Sequence, residues 1–125
     1  MTVGPFLADT HIILWSIADD RRLSEQHRAI LASDAVVFAS AVSGWEIAIK
    51  RSIGKLDAPD DLTTLLPRMQ FQPLTVTFQH ANAVGGLPRH HGDPFDRLLI
   101  AQAQVENLTI LTSDPHFTRY DVALA

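Results

Sequence analysis

"HHGDPFDRLLIAQAQVENLTILTSD", residues 90–114, reads as a loop, an apolar helix, a short strand and a second loop. Pro94 stands where a helix opens, since a missing N–H does no harm in the first turn. Leu98, Leu99, Ile100 and Ala101 follow without a polar break, and "TIL" ahead of Thr112 is apolar on both faces. A strand of that kind belongs in a parallel sheet covered by helices on each side. Acids stand at both ends of this unit: Asp93 and Asp96 where the helix begins, Asp114 past the strand.

The same alternation extends to the rest of the chain. Strands are expected over 3–9, 35–40, 72–77 and 108–114, with 121–125 as a candidate fifth. Helices are expected over 10–18, over 24–33 with Ser24 as N-cap, over 41–54 with Gly54 closing it, over 60–71 with a break or kink at Pro67, over 78–86, and over 94–107. Val42, Trp45, Ile49 and Ile53 form the apolar stripe of the 41–54 helix. Residues 87–93 are expected as a loop. The pattern predicts one domain over 1–125, a three-layer α/β/α fold with a central parallel sheet of four to five strands. In such sheets ligands bind beyond the carboxyl ends of the strands.

The chain has 125 residues, 46% hydrophobic and 19% charged, which is a globular composition. It contains no cysteine, which excludes a disulfide framework, thiolate zinc sites and a Cys nucleophile, and fits a reducing, cytoplasmic setting. The first residues carry no basic stretch followed by a long apolar run, so no signal peptide is expected. No uninterrupted apolar run is long enough to span a membrane. The net charge is −4, opposite in sign to the usual nucleic-acid binder. Two bound divalent cations would cancel it.

Four acids are candidates for a metal site. Asp9 follows the first strand and Asp114 the fourth, so both fall at strand carboxyl ends, where either is also a good helix N-cap. Asp96 lies in the first turn of its helix, where an acid suits the macrodipole. Asp93 is the better cap for that helix and Asp96 the freer carboxylate. Glu46 is set among Val42, Trp45, Ile47, Ala48 and Ile49; its structural partner would be Lys50, a pairing that requires Glu46 to reach the surface. Charges about 4 Å apart repel by roughly 4 kcal/mol at an effective dielectric constant near 20, so a convergent set needs a balancing cation. Oxygen-only ligands select Mg²⁺ or Mn²⁺ over zinc.

"LADTHIILW", "SAVSGWEIAIKRSIGKL", "LPRHHGDPFDRLLIAQA" and "LTILTSDPHFTRY" resemble the PIN-domain family, in particular the VapC toxins of bacterial toxin–antitoxin pairs. The resemblance covers nearly the whole chain. It implies that Asp9, Glu46, Asp96 and Asp114 are the metal-binding and catalytic acids, that Asp93 is an additional acid, and that Thr112 and Ser113 offer supporting hydroxyls. It further implies Mg²⁺- or Mn²⁺-dependent cleavage of RNA by metal-activated water, a 5′-phosphate on one product and a 3′-hydroxyl on the other, frequent homodimers, and inhibition by a cognate VapB-type antitoxin.

Other residues are read more plainly. His90 and His91 are expected on a solvent-facing loop, and His11 as a partly buried helix residue. Thr10, Arg97 and Lys50 are candidates for site support or RNA contact, Arg89 for phosphate contact, and the run Lys50, Arg51, Lys55 for an RNA footprint. Trp15 and Trp45 are expected in the core. Two alternative functions share these residues. One is a hydrolase of small phosphate esters, although Asp9 is followed by Thr10 and His11 rather than by the second Asp of a phosphatase nucleophile motif. The other is a non-catalytic interaction module whose acids are only caps and surface pairs.

Overall fold

In a computed structural model the described residues are 4–125, and four parallel strands form one sheet with the order β3–β2–β1–β4. The strands are β1 (Phe6–Ala8), β2 (Val37–Ser40), β3 (Phe71–Leu74) and β4 (Thr109–Leu111). Six α-helices connect them: α1 (Thr10–Ala18), α2 (Glu25–Ala32), α3 (Ala41–Ser52), α4 (Leu62–Arg68), α5 (Phe78–Val84) and α6 (Pro94–Glu106); a 3₁₀ turn spans Pro115–Arg119. Val3, the first residue of the expected 3–9 strand, lies outside the described residues.

Strand side chains alternate between two cores, as the two-residue pleat requires. Leu7 and Ile110 join Val42, Leu99, Ile100 and Phe117 under α3, α5 and α6. Phe6, Ala8, Val37, Ala39 and Leu111 join Ile12, Ile13, Leu23 and Ile30 under α1, α2 and α4. Each fully buried Leu, Ile or Phe contributes roughly 1.5–3 kcal/mol, so both faces are needed. The result is a helix layer on either side of the sheet. Among the described residues no helix is long and apolar enough to cross a membrane.

Several boundaries differ from the expectation, each for a local reason. Residues 121–125 supply only a single parallel bridge, Ile110 to Leu124, so the sheet has four strands and not five. Pro67 does not break its helix but lies in the last turn; termination comes from Gln70, whose φ of 66° is left-handed. Phe71 is thereby released into β3, which ends at Leu74 rather than at Thr77. Pro73 is tolerated in β3 because that strand is at the sheet edge. Gly54, at φ 73°, stands just past α3, where its N–H and that of Lys55 close the last carbonyls.

The expected stripe on α3 is rotated. Ser43, Glu46 and Ile47 are buried beside Val42, whereas Trp45 is 58% and Ile53 59% exposed. Trp45 packs its edge on Phe95 and does not enter the core. The periodicity located the helix, but the polar side of the stripe faces inward because the sheet's carboxyl end lies there.

A buried polar thread crosses this layer. Ser40 donates to Gln102 Oε1 at 2.6 Å, and Gln102 Nε2 donates to the Thr75 carbonyl at 3.2 Å. His80, also buried, accepts the Thr77 N–H on Nδ1 and faces Glu106 with Nε2 at 3.0 Å. Together they tie β2, α5 and α6.

Candidate metal centre

Parallel pairing puts the carboxyl ends of β1, β2 and β4 at one edge. Asp9 leaves β1 and caps α1: its Oδ1 accepts the Ile12 N–H at 2.8 Å. Its N–H donates to the Leu111 carbonyl of β4 at 3.0 Å. Its Oδ2 accepts the Thr112 hydroxyl, and the Thr112 oxygen in turn accepts the Asp114 N–H at 3.0 Å. One threonine thus sets the two strand-end acids against each other.

The helix acids are joined to them in the same way. Thr10 donates to Glu46 Oε1 at 2.6 Å and shares a hydrogen bond with Ser43 at 2.9 Å. Lys50 Nζ donates to Glu46 Oε2 at 2.6 Å. Glu46 is buried, so this pair forms with Lys50 reaching inward rather than with Glu46 reaching out. Asp93 caps α6, accepting the Phe95 and Asp96 N–H groups on Oδ1 at 2.8 and 3.1 Å. Asp96, in the first turn, accepts from His91 Nε2 at 2.9 Å. The negative charges of Asp93, Asp96 and Glu46 all act on Lys50.

The cap reading and the ligand reading of these acids therefore coexist. Asp9, Asp93 and Asp114 each commit Oδ1 to a backbone N–H at a helix start. Among the described residues, Oδ2 of Asp93 and of Asp114 accepts no hydrogen bond.

Electrostatics mark the cluster as short of positive charge. Burial pushes the Asp9 carboxyl up despite its Thr112 and Ile12 hydrogen bonds, and Asp114 adds to the rise. Burial also raises Asp96, to about 6; the His91 hydrogen bond opposes this, and the charges of Asp93 and Glu46 reinforce it. Burial likewise raises Asp114, but the N–H and ring of His116, with the charge of His91, outweigh it and leave that carboxyl lowered.

A hard divalent cation fits this donor set on chemical grounds. Asp9, Glu46, Asp96 and Asp114 offer carboxylate oxygens near one end of the sheet, and Asp9 and Asp96 are raised chiefly by burial, with neighbouring carboxylates adding to the rise. Among the described residues, ligand atoms of His91, Asp93 and Asp96 lie within 4.8 Å of one another, as do those of His91, Asp114 and His116; Asp9 and Glu46 fall in neither group, so the four expected acids are not gathered into one such cluster.

Several sequence expectations change here. His91 is not solvent-facing; it stands between Asp96 and Asp114, and its ring stacks on that of His116 at 4.4 Å. His90 is exposed and meets the edge of Tyr120. His11 is exposed, not partly buried, and lines a small pocket with Asp9, Trp15, Ser113 and Asp114. Trp15 is half-buried under the Arg22 guanidinium rather than in the core. Ser113 is exposed at that rim, and Arg89 is exposed on the 87–93 loop.

The expected basic footprint is largely spoken for. Lys50 is on Glu46, Arg51 pairs with Asp60, and only Lys55 of the three has no ion pair among the described residues. Arg97 is turned away from the acids. Its guanidinium donates to the carbonyls of Pro88 at 2.8 Å and Val84 at 3.2 Å, anchoring the 87–93 loop. Arg97→Ala is expected to cost about 0.5–1.5 kcal/mol in urea unfolding and to speed amide exchange across 87–92, because the carbonyls of Pro88 and Val84 lose their charged donor. Unchanged exchange in that loop would refute the anchoring role.

The residues that sequence reading missed are His91, His116 and Ser43. His116 had a legible signal: Asp114-Pro115-His116 opens a 3₁₀ turn, which brings a ring two residues on back to the carboxylate, here at 2.8 Å. His91 had none, because its placement depends on Tyr120, whose hydroxyl accepts the His91 N–H at 2.8 Å.

The chain is similar to proteins of known structure over nearly all its length. One is a chain of the VapBC2 complex from Rickettsia felis bound to a DNA fragment from its promoter, 17% identical, TM-score 0.71, covering 96% of each chain. Another is from FitAcB of Neisseria gonorrhoeae, 22% identical, TM-score 0.64, 95% of each. A third is from DNA-bound VapBC of Salmonella typhimurium, 15% identical, TM-score 0.66, covering 99% of this chain and 98% of that one. At such identities the likeness shows the fold. Among curated proteins none matches the sequence. The PIN domain family model matches residues 6–123, nearly the whole sheet-and-helix unit just described, and the chain therefore belongs to the PIN domain family.

Proposed function

We propose that this chain is a divalent-metal-dependent endoribonuclease and the toxin of a toxin–antitoxin pair, with Asp9, Glu46, Asp96 and Asp114 as the acids that hold Mg²⁺ or Mn²⁺ and Asp93 beside them. The observation that carries the reading is the hydrogen bonding at this end of the sheet: Asp114 N–H to Thr112 and Thr112 to Asp9, Thr10 (next to Asp9) to Glu46, and His91 to Asp96, with His91 and Asp114 ligand atoms within 4.8 Å. When bound, the cation supplies Lewis acidity toward a phosphate oxygen and a water nucleophile near neutral pH.

The chain's own residues do the rest. Thr112 holds the Asp9 carboxylate through one oxygen and the Asp114 N–H through its own, which orients both acids. Thr10 and Lys50 fix the two oxygens of Glu46. Lys50, partly exposed beside its Glu46 pair and under the charges of Asp93 and Asp96, is the proposed contact for a substrate phosphate. Arg97 serves indirectly, by holding the loop that carries His91 and Asp93.

The solved relatives, which come from VapBC and FitAB assemblies, support the proposal of an antitoxin partner. A VapB-type antitoxin is the proposed inhibitor and a homodimer the proposed assembly; a single PIN-like domain over 1–125 and a cytoplasmic site of action belong to the same reading. The decisive test incubates the purified chain with structured RNA and with a model phosphomonoester. RNA cleavage that needs Mg²⁺ or Mn²⁺, stops with a chelator and leaves the monoester intact is the expected result. Cleavage of the monoester alone would favour a small-phosphoester hydrolase. Inertness toward both, with no metal-induced rise in melting temperature, would leave only an interaction module.

A further inference from the structure

His91 and His116 are imidazoles that the carboxylate chemistry does not require, yet both are placed with care. The 87–93 loop brings in His91, whose N–H is held by the buried Tyr120 hydroxyl at 2.8 Å. The turn after β4 brings in His116, held on Asp114 at 2.8 Å. Their rings stack at 4.4 Å with only 11° between planes, and ligand atoms of His91, His116 and Asp114 all lie within 4.8 Å of one another. The His91 ring is one-fifth exposed, the His116 ring half exposed.

We propose that His91, His116 and Asp114 form a second cation site, selective for a transition divalent ion of the zinc class. Two imidazoles and one carboxylate are a donor set that Mg²⁺ disfavours and that Zn²⁺, Co²⁺ or Ni²⁺ prefers. Three protein ligands leave one position of a tetrahedral ion open. Zinc–nitrogen bonds of about 2.0–2.1 Å place the ion in the plane of each imidazole, so the two stacked rings do not both ligate as they stand, and the exposed His116 ring would have to turn out of the stack to close the site. The ion would bridge the 87–93 loop to the end of β4. It would also take Asp114 from the carboxylate centre and draw His91 off Asp96, which makes it an antagonist of Mg²⁺-dependent cleavage. That antagonism rests on the nuclease reading; the binding does not.

The test is calorimetry with Zn²⁺ and visible absorption with Co²⁺ on the wild-type chain, His116→Ala, His91→Ala and Asp9→Asn. One ion bound by wild type is expected, with d–d bands of a low-coordinate Co²⁺ complex. His116→Ala, a change at an exposed side chain, should weaken binding about tenfold or more, and His91→Ala likewise. Asp9→Asn should bind as wild type does. Equal zinc affinity in His116→Ala and wild type, or loss of zinc in Asp9→Asn, overturns the proposal. A chain that binds zinc through His116 but cleaves no RNA overturns the nuclease reading and leaves this site standing.

Discussion

Asp96→Asn is expected to abolish cleavage while making the metal-free protein more stable. Losing a ligand removes several kcal/mol of cation-based transition-state stabilisation, a fall of roughly 10²–10³-fold or more. The stability gain follows from the carboxyl being raised to about 6 by burial, with Asp93 and Glu46 repelling its charge against the His91 hydrogen bond. A carboxyl raised on folding supports the native state most below its unfolded value, near 4, and that support is lost as pH climbs through about 6. At pH 7.5 without metal the wild type therefore carries a penalty that Asn lacks. Discounted for partial exposure, it is about 1–2 kcal/mol, or roughly 4–8 °C in melting temperature. At pH 4 the two proteins should melt together. Rapid RNA cleavage by Asp96→Asn, or no gain above pH 7, would refute the assignment.

Lys50→Met carries the opposite expectation. Met keeps the apolar stem but removes the ammonium that sits 2.6 Å from the buried Glu46. Breaking such a pair leaves a charge with only Thr10 to satisfy it, at a cost of about 2–3 kcal/mol given that Lys50 is partly exposed. In a chelator the melting temperature should fall by roughly 8–12 °C. Adding Glu46→Gln should restore most of that loss, and Mg²⁺ should stabilise Lys50→Met more than wild type, since the cation replaces the missing charge. A Lys50→Met protein as stable as wild type in the chelator would show that Glu46 needs no counter-charge there.

The elements were legible because each is strongly written locally. Two-sided apolar runs marked the strands, and Ser24, Gly54 and Pro94 marked helix ends with a mechanism. What stayed hidden depends on distant partners. Nothing near Trp45 says that its side of α3 faces outward; that is set by Glu46 and Ser43 turning toward Thr10 across the sheet edge. The acids could be listed from the sequence, but the bonds of Thr10 with Glu46 and of Thr112 with Asp9 span 36 and 103 positions, whereas Asp93, Asp96 and Asp114 are held by near neighbours. The bridge at Leu124 shows the limit in the other direction: the apolar tail does pair along the free side of β4, through Ala123, Leu124 and Ala125, but over too few residues to make a strand.

Asp9 extends from β1, an inner strand of the sheet, and Thr112 from β4, the edge strand that pairs with it in register, and both faces are packed there. His91 and Asp93 hang instead on a loop held mainly by one guanidinium and one phenol. The centre thus has a rigid floor and one adjustable wall. A shift of that wall costs a few side-chain contacts and leaves Asp9 and Thr112 in register on their strands.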